Sequence, residues 1–128
     1  MARGKKINRG LLGNEVSSAR VRFTQVAPRK ARSVADLIRG LSVSEARRQL
    51  QALHRPSAVP LISRLLKSAV ANAEQNEEWD DSTDDLVIGE LTVDGGPVLK
   101  RWRPRAMGRA CIIRERMSHM TLKLFKQV

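Results

Sequence analysis

Residues 94–110 read DGGPVLKRWRPRAMGRA. Lys100, Arg101, Arg103, Arg105 and Arg109 put five positive charges into ten positions with no acid among them, too much like charge to pack against itself. Gly95, Gly96 and Gly108 admit unusual backbone angles, while Pro97 and Pro104 fix φ and remove amide donors. The segment is therefore expected to be extended and outward-facing. Ordering it costs on the order of 10–20 kcal/mol of backbone entropy, which contacts to a polyanion and counterion release offset where solvent does not. A projection bound to nucleic acid is the first reading, and a solvated basic loop is the plainer one.

The flanks give this stretch its frame. From Leu86, LVIGELTV reads as a strand with Gly89 at a bulge or close approach. Beyond the basic run, ACIIRER (110–116) resumes extended character, and MSHMTLKLFKQV (117–128) alternates Met120, Leu122 and Leu124 against Thr121, Lys123 and Phe125. A long two-stranded hairpin over about 86–116 follows, with its tip near 99–106. Its far end has no core and is expected to be mobile until gripped. Cys111 reads as a small, semi-buried strand residue.

The 128 residues hold 24 Lys and Arg against 13 Asp and Glu, for a net charge of +11 and a pI near 11.2. One small domain with a modest core is expected, and the sign of the charge points to an anionic partner, nucleic acid or membrane. Aromatic residues make up only 3%, which argues against a reader that stacks base after base. A single cysteine excludes an intrachain disulfide and a multi-cysteine zinc site, in keeping with a reducing compartment. There is no run of eighteen apolar residues, and MARGKKINRGLLG lacks the apolar block of a signal peptide, so the chain is expected to be neither integral nor secreted. Charge comes in blocks: basic over 1–39, 40–73 and 95–128, and acidic over 74–94, where nine acids meet no Lys or Arg. An acidic block between basic ones suggests a folded body that turns one side away from its anion.

In chain order, residues 1–18 read as a flexible basic arm and 19–128 as a single domain. Ala19–Val26 reads as a strand, with Val21 and Phe23 on one face and Arg20, Arg22 and Thr24 on the other. Pro28 opens a helix whose Ala31, Val34, Ala35 and Ile38 form one stripe before Gly40 stops it. Arg29, Lys30 and Arg32 crowd its start, where cations oppose the helix dipole; phosphates meeting the same cations and free N–H groups would account for them. Ser42 and Glu45 have the spacing of a capping box ahead of an inward stripe of Val43, Ala46, Leu50 and Leu53.

Ser57 is the candidate cap of a third, longest helix built on Leu61, Ile62, Leu65, Leu66, Ala69, Val70 and Ala73. Lys67 lies off that stripe. Asn72 and Asn76, four apart, either share an exposed face or meet RNA. Residues 77–85 read as a solvated acidic loop without the grammar of a calcium site, in which Trp79 either caps the core or lies exposed. His54 reads as a helix-end residue, and two distant histidines with one cysteine disfavour a metal site. A nuclease is disfavoured because no acid–base or nucleophile constellation is discernible.

Three ordered blocks, APRKARSVADLIRG (27–40), LLKSAVANAE (65–74) and VDGGPVLKRWRPRAMGRACIIRERMSHMTL (93–122), resemble the twenty-second family of large-subunit ribosomal proteins in its bacterial form. The match runs residue by residue through Pro28, Arg29, Lys30 and Arg32, through Lys67–Glu74 except Val70, and through the GPxLKRxxPRAxGRA pattern from Gly96 to Ala110. Arg116, Ser118, His119 and Thr121 match its closing segment. Gly95 stands where Glu is usual, Met117 and Met120 stand where Thr and Ile are common, and the acidic insert 77–85 is unusually rich.

The resemblance implies an α+β body, three helices packed on a small antiparallel three-stranded sheet, with a long protruding hairpin. It implies a structural constituent of the large ribosomal subunit, not an enzyme, that binds 23S-type rRNA, aids assembly and lines the nascent-peptide exit tunnel. The expected RNA-binding set is Arg20, Arg22, Arg29, Lys30, Arg32, Lys67, Asn72, Lys100, Arg101, Arg103, Arg105, Arg109, Arg114, Arg116 and His119, although His119 reads equally well as a structural hydrogen-bonding residue. The expected tunnel-wall segment is Leu99, Lys100, Arg101, Trp102, Arg103, Pro104 and Arg105, with Trp102 either stacked on a base or laid on the wall. Partners would be rRNA, neighbouring ribosomal proteins and the nascent peptide, with no cofactor, metal, membrane or disulfide-linked partner. The setting would be a cytoplasmic ribosome more readily than an organellar one.

Overall fold

Alternation along the last strand organises the fold. In a computed structural model of the chain, which describes residues 12–127, Ser118, Met120, Leu122 and Leu124 point into the core, and the residues between them are half-buried on the other face. That strand, β3 (Ala110–Gln127), is central: β1 (Leu12–Thr24) and β2 (Val87–Pro104) pair antiparallel with its two edges, in the order β1-β3-β2. The helices α1 (Pro28–Ile38), α2 (Val43–Ala52) and α3 (Val59–Glu74) cover the inward face. This is the expected α+β arrangement.

Each helix buries most of the stripe its period dictates, with the expected Leu53 and Leu61 only half-buried against the core. Ala31, Val34, Ala35 and Ile38 of α1 are buried, as are Val43, Ala46 and Leu50 of α2 and Ile62, Leu65, Leu66, Ala69, Val70 and Ala73 of α3. Ser42 caps α2, its hydroxyl accepting from the Glu45 N–H at 3.4 Å. Helix α3 differs from expectation: its N-cap is Ala58 without a side-chain cap, and Pro60 in the first turn supplies the fixed φ instead.

Polar side chains close both edges of the sheet. The Arg32 guanidinium forks onto the Val93 carbonyl at 3.1 and 3.0 Å, and Arg39, also paired with Asp36 at 2.7 Å, donates to the Leu91 carbonyl at 2.6 Å. Backbone bonds from Gly40 and Val43 to the Ile88 and Leu86 carbonyls continue along β2. Across the sheet, Asn72 donates to the Ser18 carbonyl and Asn76 to the Val16 carbonyl, each at 2.9 Å, and the buried Ser17 hydroxyl donates to the Ala69 carbonyl at 2.8 Å. An open β edge is a template for mispairing, and these contacts blunt it.

Four further expectations change. Residues 12–18, assigned to a flexible arm, form the first half of β1, because β3 has a second edge to fill and α3 offers Ser17 and Asn76 their partners; residues 1–11 lie outside the described residues. Phe23, assigned to the inner face, is 60% exposed. Val21 pairs with Met120 and Thr24 with Ser118, so β1 spends one residue more than β3 between those pairs; this bulge turns Phe23 outward at φ 58° and returns Thr24 to the core. A left-handed backbone costs a non-glycine residue on the order of 1–2 kcal/mol.

The hairpin turn lies at Ala106–Gly108 instead of near 99–106, since Met107 and Gly108 both take positive φ, 60° and 67°, and Pro104 still pairs with Ala110. Cys111 is exposed, because no helix backs that part of the ribbon. By contrast, Gly89 does sit at a bulge between Ile88 and Glu90, and Trp79 packs partly buried against the core with the Lys126 ammonium 5.6 Å from its ring centre.

Past Gly95 the ribbon leaves the body. A second bulge lies between the Gly95–Ser118 and Val98–Arg116 pairs, and there a side chain on Gly96 would come within 3.1 Å of the Met117 backbone. Body and ribbon are thus energetically separable. Replacing residues 99–115 with an Asn-Gly turn should shift the melting temperature by less than about 4 °C, whereas Leu122→Ala should cost about 2–5 kcal/mol. Thermal unfolding followed by circular dichroism checks both, and loss of the cooperative transition on excising the ribbon would contradict the separation.

Candidate nucleic-acid interface

The ribbon presents its charges on two faces, set by its register. Val98–Arg116, Lys100–Arg114 and Trp102–Ile112 face each other on one side; Leu99–Glu115, Arg101–Ile113 and Arg103–Cys111 do so on the other. Lys100 opposite Arg114 is a like-charge pair, which is destabilising unless an anion lies against it. One acid relieves this field: Glu115 lies 3.5 Å from Arg101, in a pair too exposed to contribute much. Among the described residues no acid lies within 4.0 Å of Lys100, Arg103, Arg105, Arg109, Arg114 or Arg116.

Apolar side chains accompany the cations. Trp102 is 68% exposed and Met107, at the turn, 94%, while Val98, Leu99 and Ile112 are also open to solvent. Sequence pattern does not single out Ile112 and Val98. Val98 shares the face of Trp102 by strand alternation, and the place of Ile112 opposite Trp102 follows from the position of the turn, for which Gly108 is the available signal.

The root of the ribbon meets the start of α1. The Thr24 hydroxyl bonds the Ser118 carbonyl at 2.7 Å and lies 2.9 Å from the Ser118 hydroxyl, both buried, which fixes β1 beside the ribbon four residues before Pro28. A groove lined by Gln25, Ala27, Leu99, Arg114, Glu115, Arg116 and Met117 joins the two. Arg29 and Lys30 are exposed at this end of α1, where Ala27 provides no side-chain cap and the first turn holds no acid. Pro28 has no N–H and the Lys30 N–H is taken by the Ala27 carbonyl, so the Arg29 N–H, the helix dipole and two exposed cations make that end an anion-attracting surface. Arg20 and Arg22 are exposed on the neighbouring strand.

Besides Arg101, three expected contact residues have hydrogen-bond partners inside the protein. Arg32 holds the Val93 carbonyl, Asn72 holds Ser18, and His119 accepts the Phe23 N–H on Nδ1 at 3.0 Å. Arg39, not singled out from sequence, works with Arg32. Lys67 is exposed on α3, away from the ribbon root, beside Arg47 in a groove between α2 and α3. Among the described residues no group of three or more His, Cys, Asp or Glu is arranged to hold a metal ion, and no helix is long and apolar enough to cross a membrane.

The family model for ribosomal protein L22p/L17e matches residues 19–125. The chain belongs to that family. The large ribosomal subunit protein uL22 of Desulfitobacterium hafniense (strain Y51) is 50% identical over 106 residues, covering 83% of this chain and 90% of the relative. L22p/L17e membership bears out the resemblance carried by the three sequence blocks, and the family is one of ribosomal proteins, not of enzymes.

Within this L22p/L17e chain the cations at the start of α1 divide by their partners. Arg29→Gln with Lys30→Gln should weaken RNA binding and flatten its salt dependence by about 1–2 units while leaving the melt unchanged. Arg32→Gln should instead lower stability by about 1 kcal/mol through the lost bonds to Val93. Filter binding across salt, paired with thermal melts, separates the two roles; an unaltered melt in Arg32→Gln would count against the edge contact.

Proposed function

We propose that this chain is a structural constituent of the large ribosomal subunit that binds large-subunit rRNA, contributes to its assembly, and lines the nascent-peptide exit tunnel with its hairpin tip. The observation that carries this reading is the ribbon beyond Gly95. It extends roughly 20 Å at strand rise from the Val98–Arg116 pair to the Pro104–Ala110 pair before the turn, without a core. Among the described residues its cations other than Arg101 lie without acid partners, and its apolar residues are exposed, features that suit a cleft walled by phosphates and bases.

Phosphates neutralise Lys100, Arg103, Arg105, Arg109, Arg114 and Arg116, and Arg forks onto phosphate oxygens with two parallel bonds. Arg29, Lys30, Arg20 and Arg22 extend the contact onto the body, so that separate RNA segments meet at the ribbon root, which is how the chain aids assembly. Leu99 through Pro104 form the strand leading to the tip, Arg105 opens the turn, and Trp102, with Met107 beyond it, offers the passing peptide an apolar surface. No catalytic step or cofactor is required, and the chain works in a cytoplasmic ribosome beside other ribosomal proteins.

The test compares binding to protein-free large-subunit rRNA and to random duplex DNA between about 50 and 200 mM salt. A site shaped by one RNA gives tighter rRNA binding at every salt concentration; equal affinities with equal slopes would defeat the reading. In cells, the chain should stay stoichiometric with large subunits after a high-salt wash, and ribbon-excised chain should be washed off.

A further inference from the structure

Phe23 is held in a strained, outward conformation by a dedicated set of contacts. Its backbone takes φ 58°, a position where glycine is the usual residue, yet it carries an aromatic ring 60% exposed to solvent. Water is a poor setting for that ring. The conformation is maintained on both sides: the Phe23 N–H donates to His119 Nδ1 at 3.0 Å, and the next residue, Thr24, is tied to Ser118 inside the core. With Nδ1 accepting, a neutral His119 carries its proton on Nε2 and presents a donor outward.

The two rings meet edge to face, with centroids 4.9 Å apart and planes at 86°. The T-shaped contact fixes the orientation of the phenyl ring and leaves ring surface open. The Arg22 guanidinium lies 6.0 Å from the ring centre. An aromatic ring with a fixed orientation, a cation beside it and a ring N–H donor at its edge matches what an unstacked nucleotide offers: a π-face, a phosphate and acceptor atoms on the base edge.

We propose that Phe23, positioned by His119 and flanked by Arg22, is a stacking platform for one unpaired base of RNA at the root of the ribbon. The platform rests on the RNA-binding reading above and narrows it to one nucleotide, splayed out of its helix onto the phenyl face. Phe23 makes the stack. His119 is a positioning residue that keeps the bulge closed and the ring turned outward, and Arg22 meets the adjoining phosphate.

The test uses the full chain and protein-free large-subunit rRNA. Phe23→Gly removes the ring but relaxes the backbone, because φ 58° suits glycine. The variant should melt at or near the wild-type temperature and bind roughly tenfold to a hundredfold more weakly, the loss of one base–aromatic stack, with an unchanged salt slope. Phe23→Asn, which also tolerates left-handed backbone, should behave alike and keeps the experiment readable if the glycine variant unfolds. Phe23→Trp should bind as well as wild type. Arg22→Gln should flatten the salt slope by about one unit.

His119→Ala should weaken binding, His119→Asn, which retains an acceptor, should restore part of it, and His119→Ala should add nothing in the Phe23→Gly background. Folded glycine and asparagine variants that bind rRNA like wild type would overturn the platform. They would overturn it equally if they failed only on incorporation into subunits, a result that would assign Phe23 to a protein neighbour. A wild-type chain with no preference for rRNA over duplex DNA overturns the broader reading together with the platform.

Discussion

The backing of β3 by the helical layer is the constraint on which everything else depends, and it stops at a definite residue. From Ser118 to Leu124 alternate side chains are buried against α1 and α3 and contribute the apolar burial that stabilises the sheet. From Met117 towards the turn no side chain of β3 is buried, although the hydrogen-bond ladder continues unbroken from Arg116 to Ala110. One strand is thus half core and half ribbon. The first half supplies stability, and the second, relieved of packing duty, is where exposed cations and apolar residues can sit without disrupting the core.

This division also explains how the basic side chains are allotted. Arg32 and Arg39 sit on the face of α1 that meets β2, and each spends its guanidinium on a carbonyl of that edge strand. Arg29 and Lys30, on the exposed side of the same helix, have no such partner among the described residues. Proximity in sequence therefore does not predict role: four cations within one helix and its cap separate by helical phase into edge-closing and outward-facing pairs. On the outer face of the sheet, Lys123 lies between Glu15 at 3.8 Å and Glu90 at 3.3 Å, which ties the strands through half-exposed charges of modest energetic weight.

Much of this is legible in the sequence where burial alone decides the outcome. The helix stripes and the Met120, Leu122 and Leu124 alternation follow from period and hydrophobicity, and Gly89 marks its bulge by composition. The features that escape depend on one-residue insertions and left-handed backbone at residues whose composition does not announce them. Phe23 reads as an inward strand residue until a bulge shifts the phase by one; Met107 carries a positive φ with no glycine's signature, so composition places the turn several residues early. Cys111 reads as semi-buried because local pattern cannot tell a ribbon from a backed strand. The interface is legible as charge, since clustering of Lys and Arg is visible in the sequence. Which cations face outward is not, because that depends on carbonyls of β2 far along the chain.

The acidic block gains its meaning from the length of β2. Asp84 and Asp85 immediately precede that strand, and its 18 residues at strand rise carry the chain roughly 60 Å to the turn. Screening in physiological salt acts over about 8 Å, so carboxylates at one end do not oppose the approach of phosphates to the other. Asp84 is also partly neutralised by Arg47 of α2 at 3.2 Å. The molecule is consequently polar along its ribbon axis, negative at the start of β2 and positive at the turn. In the field of a large polyanion, such a charge distribution favours approach with the ribbon leading and the acidic loop turned outward. A net charge of +11 gives attraction to a polyanion, and its separation along β2 gives that attraction a direction.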